Sequence, residues 1–227
     1  MRHGMPPKTA KLAASILSAD FANLGDQVKL VSADADLLHV DAMDAHFVPP
    51  LSIGPVVVES LRKVTDLPLH CHLMVERPMD LLRDFAEAGA DIVTMHLEAV
   101  PEPDRAIKEA AALGLKAGLG VNPDTPIDGV YPHLEELDRV LVMSVRPGWA
   151  GQAFLESALP KVESVRSEIE RRGLTVEVEV DGGINEETGA RCVAAGATVL
   201  AAASSIFKAP DVGEAARRLA GVARGEP

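Results

Sequence analysis

A chain of 227 residues, 47% of them hydrophobic, can bury one sizeable core, and its length suits a single α/β barrel of roughly 200–250 residues. The formal net charge of −12 excludes the basic stripe that a nucleic-acid surface needs, and 3% aromatic residues offer no stacking platform for bases. The apolar runs are too short and too often broken by charge to span a bilayer, and Cys71 and Cys192, in unrelated segments, fit reduced thiols in a cytoplasmic protein better than a disulfide.

Residues 1–10 read as a flexible polar tail, and 11–225 as one domain. A first strand is expected over 12–17 and a helix over 21–33. The second strand, 36–42, leads into a long loop at 43–54 with Pro49, Pro50 and Gly54, then a helix over 55–64. The third strand, 67–73, is followed by a helix over 78–88, and the fourth, 91–95, by a helix over 102–112. After the fifth strand, 115–120, only a short turn of helix is expected, near 126–131. Pro55, Pro78 and Pro126 each suit a first helical turn. The sixth strand, 138–143, leads into a Gly-rich loop at 144–155 and a helix over 156–172. A seventh strand at 175–180, a helix over 186–195, an eighth strand at 198–202 and a helix over 210–223 complete the pattern. Gly89 and Gly196 stop their helices in the same way just before a strand.

Eight strand–helix units imply a parallel sheet, which most often closes into a (β/α)8 TIM barrel. An open doubly wound sheet is the alternative, but no G-x-G-x-x-G follows the first strand. In a barrel the two long loops lie on the C-terminal face, where they can act as lids. A strand sends alternate residues to one face. One face of the second strand carries His39, Asp41 and Met43; of the third, His70, His72 and Met74; of the seventh, Glu177, Glu179 and Asp181. Two histidines and two aspartates converging from three strand ends make a metal site with two carboxylates, suited to acid/base chemistry on a small molecule.

The segments HVDAMDAHFVPPLSIGP, CHLMVERP, VLVMSVRPGWAGQ, VEVDGGIN and ASILSADFANL resemble the motifs of the D-ribulose-5-phosphate 3-epimerase family. The likeness runs from about Leu12 to Phe207. It implies a (β/α)8 barrel, one divalent metal per chain, interconversion of D-ribulose 5-phosphate and D-xylulose 5-phosphate, and a homo-oligomer, dimer or hexamer. Carried over by position, the metal ligands are His39, Asp41, His72 and Asp181, and the acid/base pair is Asp41 and Asp181. The substrate would be touched by Ser15 and His72, with Met43, Met74 and Met143 as a floor. Its phosphate would rest on backbone N–H groups near Gly148, Gly151, Gly182, Gly183, Ala203 and Ser204. Ala45 and Ala203 stand where the family usually has Gly, Pro50 where Asn is frequent, and Arg146, Trp149 and Ala150 within a loop usually closer to NPGFGGQ.

Moving a stereocentre beside a ketone requires a proton taken from one face and returned to the other, which two carboxylates can do if one is ionised and one protonated. His and carboxylate ligands suit zinc, iron(II), cobalt or manganese. CHLMV and the Ala of GWAGQ also resemble the enzymes that epimerise D-allulose 6-phosphate, so a hexulose phosphate is an alternative substrate. A barrel lyase, such as a hexulose-phosphate synthase or a decarboxylase, is disfavoured because no Lys stands among these strand ends. A barrel that binds a sugar phosphate without turnover is the non-catalytic alternative. Among the remaining polar residues, Glu179 and His70 read as supports beneath the ligands, His46 and His96 as bordering the pocket at most, and His133 as surface. Arg146 is divided evenly between the substrate and a neighbouring carboxylate.

Overall fold

A computed structural model describes residues 9–226, so the tail expected over 1–10 lies outside the described residues apart from Thr9 and Ala10. The strands are β1 (Lys11–Ser15), β2 (Leu37–Met43), β3 (Leu69–Met74), β4 (Ile92–His96), β5 (Lys116–Val121), β6 (Arg139–Met143), β7 (Glu177–Asp181) and β8 (Val199–Ala202). They pair in parallel, each with the next in the chain, and β1 pairs with β8 to close the barrel. The expected (β/α)8 architecture is therefore the observed one. β2 and β3 are buried along their whole length, as strands with a packed interior on one side and helices on the other must be.

The helices are α1 (Leu24–Val31), α2 (Pro55–Arg62), α3 (Leu82–Glu87), α4 (Pro103–Ala112), α5 (Ala158–Arg172), α6 (Glu186–Ala195), α7 (Ser204–Phe207) and α8 (Val212–Arg224). The long ones lay an apolar stripe on the sheet; Val162, Val165 and Ile169 of α5 and Ala216, Leu219 and Ala220 of α8 all sit in the main core. Gly173 and Gly196 end α5 and α6 in the left-handed conformation, and Asn185 with Thr188 forms a capping box at the start of α6. Among the described residues no helix is long and apolar enough to cross a membrane.

Three local expectations are corrected. The segment after β5 is a 3-10 run over Ile127–Glu136, longer than the turn expected at 126–131, and Pro132 inside it lacks the N–H that an α-helix there would need. β1 stops at Ser15, and Ile16–Ser18 turns in a 3-10 conformation. The helices expected from 21 and from 78 begin with 3-10 turns, at Phe21–Asn23 and Pro78–Asp80, before becoming α-helical.

The barrel interior is layered. Ala13, Leu37, Ile92, Val199 and Ala201 form an apolar plug. The polar side chains of His70, Thr94, Arg139 and Glu179 are also enclosed, and they meet one another and His39 rather than water. The loop after β2 is stitched back by Ser52, whose hydroxyl donates to the Asp41 carbonyl at 2.5 Å and accepts from the Met43 N–H at 2.9 Å.

Within that loop, Ala45 has φ 60°, the one non-glycine residue at positive φ among those described. A left-handed Ala costs roughly 1–2 kcal/mol, and Gly returns about 0.4–1 kcal/mol of that as unfolded-chain entropy. Ala45→Gly is therefore expected to stabilise the fold by up to about 1 kcal/mol, read as a higher urea midpoint at an unchanged slope. A midpoint at or below that of the unmodified chain would show that the turn carries no such strain.

Candidate metal centre and substrate cleft

Strand register assembles the cluster. Parallel pairing of β2 with β3 sets Asp41 beside His72 and Met43 beside Met74, and pairing of β6 with β7 sets Met143 beside Asp181. One ligand atom from each of His39, Asp41, His72 and Asp181 lies within 4.8 Å of every other. His39 Nε2 is 3.1 Å from Asp41 Oδ1 and 3.6 Å from Asp181 Oδ2. His72 Nδ1 is 3.2 Å from the same Asp41 oxygen and 3.4 Å from the same Asp181 oxygen. The second Asp41 oxygen accepts a 2.7 Å hydrogen bond from the Ser15 hydroxyl. All four residues expected as ligands are thus brought together, with Ser15 on the outer side of Asp41.

The electrostatics explain what such a cluster needs. Burial disfavours a charged imidazole at His39 and His72. At His39 the carboxylates of Asp41 and Asp181 outweigh burial and raise the pKa well above the ordinary histidine value. At His72, hydrogen bonds with Asp181 and Asp41 raise it. Burial would likewise raise Asp41, but His39 first and His72 second hold its carboxyl well below the usual range. The site calls for positive charge, which protons or a cation can supply. Two imidazole nitrogens and two carboxylate oxygens form a donor set that fits a divalent transition metal.

A supporting layer lies beneath. His39 Nδ1 is 2.8 Å from Glu179 Oε1, so Nε2 faces the cluster while Nδ1 donates to a buried carboxylate. Arg139 donates from Nη1 to Glu179 Oε2 at 2.6 Å and from Nη2 to Glu177 Oε2 at 2.5 Å. The same Nη1 is 3.0 Å from His70 Nδ1, which also lies 3.2 Å from Glu179 Oε2; a guanidinium only donates, so in a neutral His70 that accepts from it the proton sits on Nε2 and is donated to Thr94 Oγ1 at 2.8 Å. Burial, helped by Arg139 and opposed by Glu179, pushes His70 down to about 3, which fits its neutral role. On the other side of the cluster, His72 Nε2 lies 2.8 Å from His96 Nε2, and His96 Nδ1 lies 3.2 Å from Glu98 Oε2.

A cleft opens above the cluster. It is lined by Ser15, Asp41, Met43, Met74, Met143, Gly148, Gly151, Asp181, Gly182, Gly183, Ala203 and Ser204, which are the residues expected to meet substrate except His72. His72 is fully buried within the His/Asp cluster rather than on the lining. Met43 and Met74 pack with Val48, Leu17 and Phe47, an apolar and polarisable floor. Gly182 and Gly183 are required by both conformation and space: their φ values are 118° and 64°, and a Cβ would meet Val145 Cγ2 at 2.5 Å and the Phe154 backbone nitrogen at 2.8 Å. Ala203, by contrast, has φ −111°, so its methyl group carries no left-handed strain.

Several residues fall elsewhere. Arg146 pairs with Asp124 at 2.7 Å on the exposed rim, the neighbouring carboxylate being one of the two partners expected for it. His46 stays in its own turn, its N–H bonded to Asp44, whose carboxylate also accepts from the Phe47 and Glu76 N–H groups. His133 contacts Asp104. Sequence reasoning missed Leu17, Val145, Gln152 and Ile184 on the lining and the contact of His96 with His72. The alternation Thr94, His96, Glu98 along and just beyond the fourth strand was the available signal for the latter.

Fold and site together define a (β/α)8 barrel with a cluster of two histidines and two aspartates, a donor set that suits a divalent cation, at the mouth of its cleft. Residues 11–207 match the Ribulose-phosphate 3 epimerase family, and the chain belongs to that family. It is 46% identical over 203 residues to the ribulose-phosphate 3-epimerase of Bacillus subtilis (strain 168), covering 88% of this chain and 94% of that protein. It is 42% identical over 223 residues to the ribulose-phosphate 3-epimerase of Synechocystis sp., covering 97% of each. Among solved structures, KGPDC from Streptococcus mutans superposes with a TM-score of 0.71 at 18% identity, covering 96% of this chain and 98% of that one; the likeness is one of fold.

Proposed function

We propose that this chain is a metal-dependent ribulose-phosphate 3-epimerase that interconverts D-ribulose 5-phosphate and D-xylulose 5-phosphate, with Asp41 and Asp181 as the two proton carriers. One observation carries the reading: carboxylates from β2 and β7 meet two imidazoles at the floor of a cleft roofed by glycine-rich loops. One carboxylate takes the proton from C3 of the bound ketose, leaving an enediolate, and the other returns a proton to the opposite face. His39, Asp41, His72 and Asp181 would hold a divalent cation, one of zinc, iron(II), cobalt or manganese, which when bound would supply Lewis-acid stabilisation of the developing oxyanion. Ser15 holds the outer oxygen of Asp41 through its 2.7 Å bond, which fixes where that carboxylate can reach.

The net charge of −12 repels an anionic substrate at long range, so its phosphate must be held locally. Gly148, Gly151, Gly182, Gly183, Ala203 and Ser204 face the cleft, and the opening N–H groups of α7 have no acceptor within their own helix. Two buried free thiols, Cys71 and Cys192, support a cytoplasmic setting. A closed barrel leaves no free sheet edge, so the homo-oligomer we propose would pair through helix or loop faces. The deciding experiment is turnover of ribulose 5-phosphate beside allulose 6-phosphate, with metal-loaded and chelated protein. Preference for the pentose, lost on chelation, is expected; preference for the hexose would move the substrate assignment, and activity on neither would overturn it.

The raised pKa values of His39 and His72 fix a sign for pH dependence. Both imidazoles must be neutral to ligate, so protons compete with the cation, and metal affinity falls as pH falls. Calorimetric titration with zinc in two buffers of different ionisation enthalpy, at about pH 6, near the ordinary imidazole pKa, is expected to show proton release on binding. Absence of release there would mean that the metal-free imidazoles are already neutral.

A further inference from the structure

We propose that Glu98 and His96 are positioning residues that keep the proton of His72 on Nε2, so that its Nδ1 lone pair is free for the cation. The inference rests on the metal site proposed above and concerns two residues outside the donor set.

His72 turns Nδ1 toward Asp41 and Asp181 and Nε2 toward His96. The two ring centroids are 5.0 Å apart and the ring planes 23° apart, with 2.8 Å between the Nε2 atoms. Two neutral imidazoles at that distance share one proton and one lone pair. If Nδ1 of His72 offers its lone pair to a cation, its proton sits on Nε2 and is donated to His96. His96 then accepts at Nε2 and carries its own proton on Nδ1, 3.2 Å from Glu98 Oε2. A carboxylate only accepts, so Glu98 admits this direction and penalises the reverse. In the reverse direction His72 would point an N–H at Asp41 and Asp181, closing the cluster to a metal.

Glu98 is itself held. Its Oε1 accepts from the Asn122 N–H at 2.8 Å and from the Thr125 hydroxyl. The loop carrying those groups is pinned by Lys161, whose ammonium donates to the carbonyls of Asn122, Pro123 and Thr125 at 3.0, 2.7 and 2.5 Å. His96 is fully buried, with the Phe47 ring 4.9 Å from its own. Direction is thus passed from an anchored carboxylate beyond β4 to a ligand on β3.

Glu98→Gln tests this with almost no change of shape. With its amide oxygen toward His96, the new NH2 group confronts the Asn122 N–H, donor against donor. With the NH2 toward His96, the histidine must accept there and donate to His72, which reverses the bond. Cobalt(II) titrated into the metal-free protein and followed by its visible absorption reads both affinity and ligand geometry. The expected result is a cobalt affinity about 10–100-fold lower than that of the unmodified chain, with an altered spectrum and a loss in kcat greater than the change in KM. His96→Gln places an amide oxygen where Nε2 accepted, independently of Glu98. It should lose less than Glu98→Gln, and the double variant should lose no more than His96→Gln alone. Glu98→Gln with unchanged cobalt affinity and spectrum would overturn the inference, as would additive losses in the double variant. Failure of the unmodified chain to take up cobalt would overturn the metal reading and this inference with it.

Discussion

Asp41→Asn and Asp181→Asn should each lower kcat by about 10²–10⁴-fold, the range expected when one member of a general acid–base pair is removed. Asparagine keeps the shape and a ligating oxygen but can neither take nor give the proton. Asp41 is almost fully buried and its Oδ1 touches both histidines, whereas Asp181 is the more open to the cleft. Metal content must be verified in both variants, because each also loses a ligand charge. A second readout separates proton transfer from metal loss. With one carboxylate left, the remaining base can still exchange the C3 proton of one epimer with deuterium from solvent while epimerisation is blocked. Asp41→Asn should exchange one of the two epimers and Asp181→Asn the other. If either variant, with metal bound, epimerises at close to the normal rate, or if both exchange the same epimer, the two-carboxylate scheme fails.

The clustering of the four candidate ligands was legible because it obeys the strand period. His39 and Asp41, then His72, then Asp181, fall at alternate positions at the ends of apolar runs, and parallel register does the rest. The cleft glycines were legible by a different route, through motifs, since positive φ at Gly182 and Gly183 leaves no periodic trace. What escaped has physical reasons. Leu17, Gln152 and Ile184 reach the cleft from non-periodic backbone, where sequence spacing says nothing about direction. His96 looked like a border residue because its role depends on a nitrogen-to-nitrogen contact across two strands. Arg139 begins a strand, a place where a cation normally reaches solvent; here it is buried because Glu177 and Glu179 alternate opposite it on β7. The 3-10 run over Ile127–Glu136 was read short because apolar spacing alone does not separate about 3.0 from about 3.6 residues per turn over so few residues.

That buried arginine carries the second large expectation. Arg139→Met should destabilise the protein by about 3–5 kcal/mol, the cost of breaking a buried ion pair from one side. For a chain of this size that is a fall in Tm on the order of 10 °C. Glu179 is fully enclosed, and burial alone would raise its carboxyl pKa. His70, Arg139 and the hydrogen bond from His39 outweigh burial and hold it well below the ordinary glutamate value. Of these, Arg139 supplies the one permanent charge, since His70 is held neutral near 3 and accepts from the same guanidinium. Methionine fills much of the arginine's volume and leaves the anion behind. Two controls follow from the sign. A depressed carboxyl pKa contributes stability that is present above the unfolded value and lost as pH falls toward the folded one. The gap between Arg139→Met and the unmodified chain should therefore narrow in acid, as Glu179 protonates in the variant first. Glu179→Gln placed on top of Arg139→Met removes the stranded charge and should recover part of the loss. An Arg139→Met protein within about 1 kcal/mol of the original at neutral pH, the worth of an exposed pair, would show that Glu179 is held by its histidines alone. If the loss stands, the layer that turns His39 toward the metal site is the same layer on which the stability of the barrel interior depends.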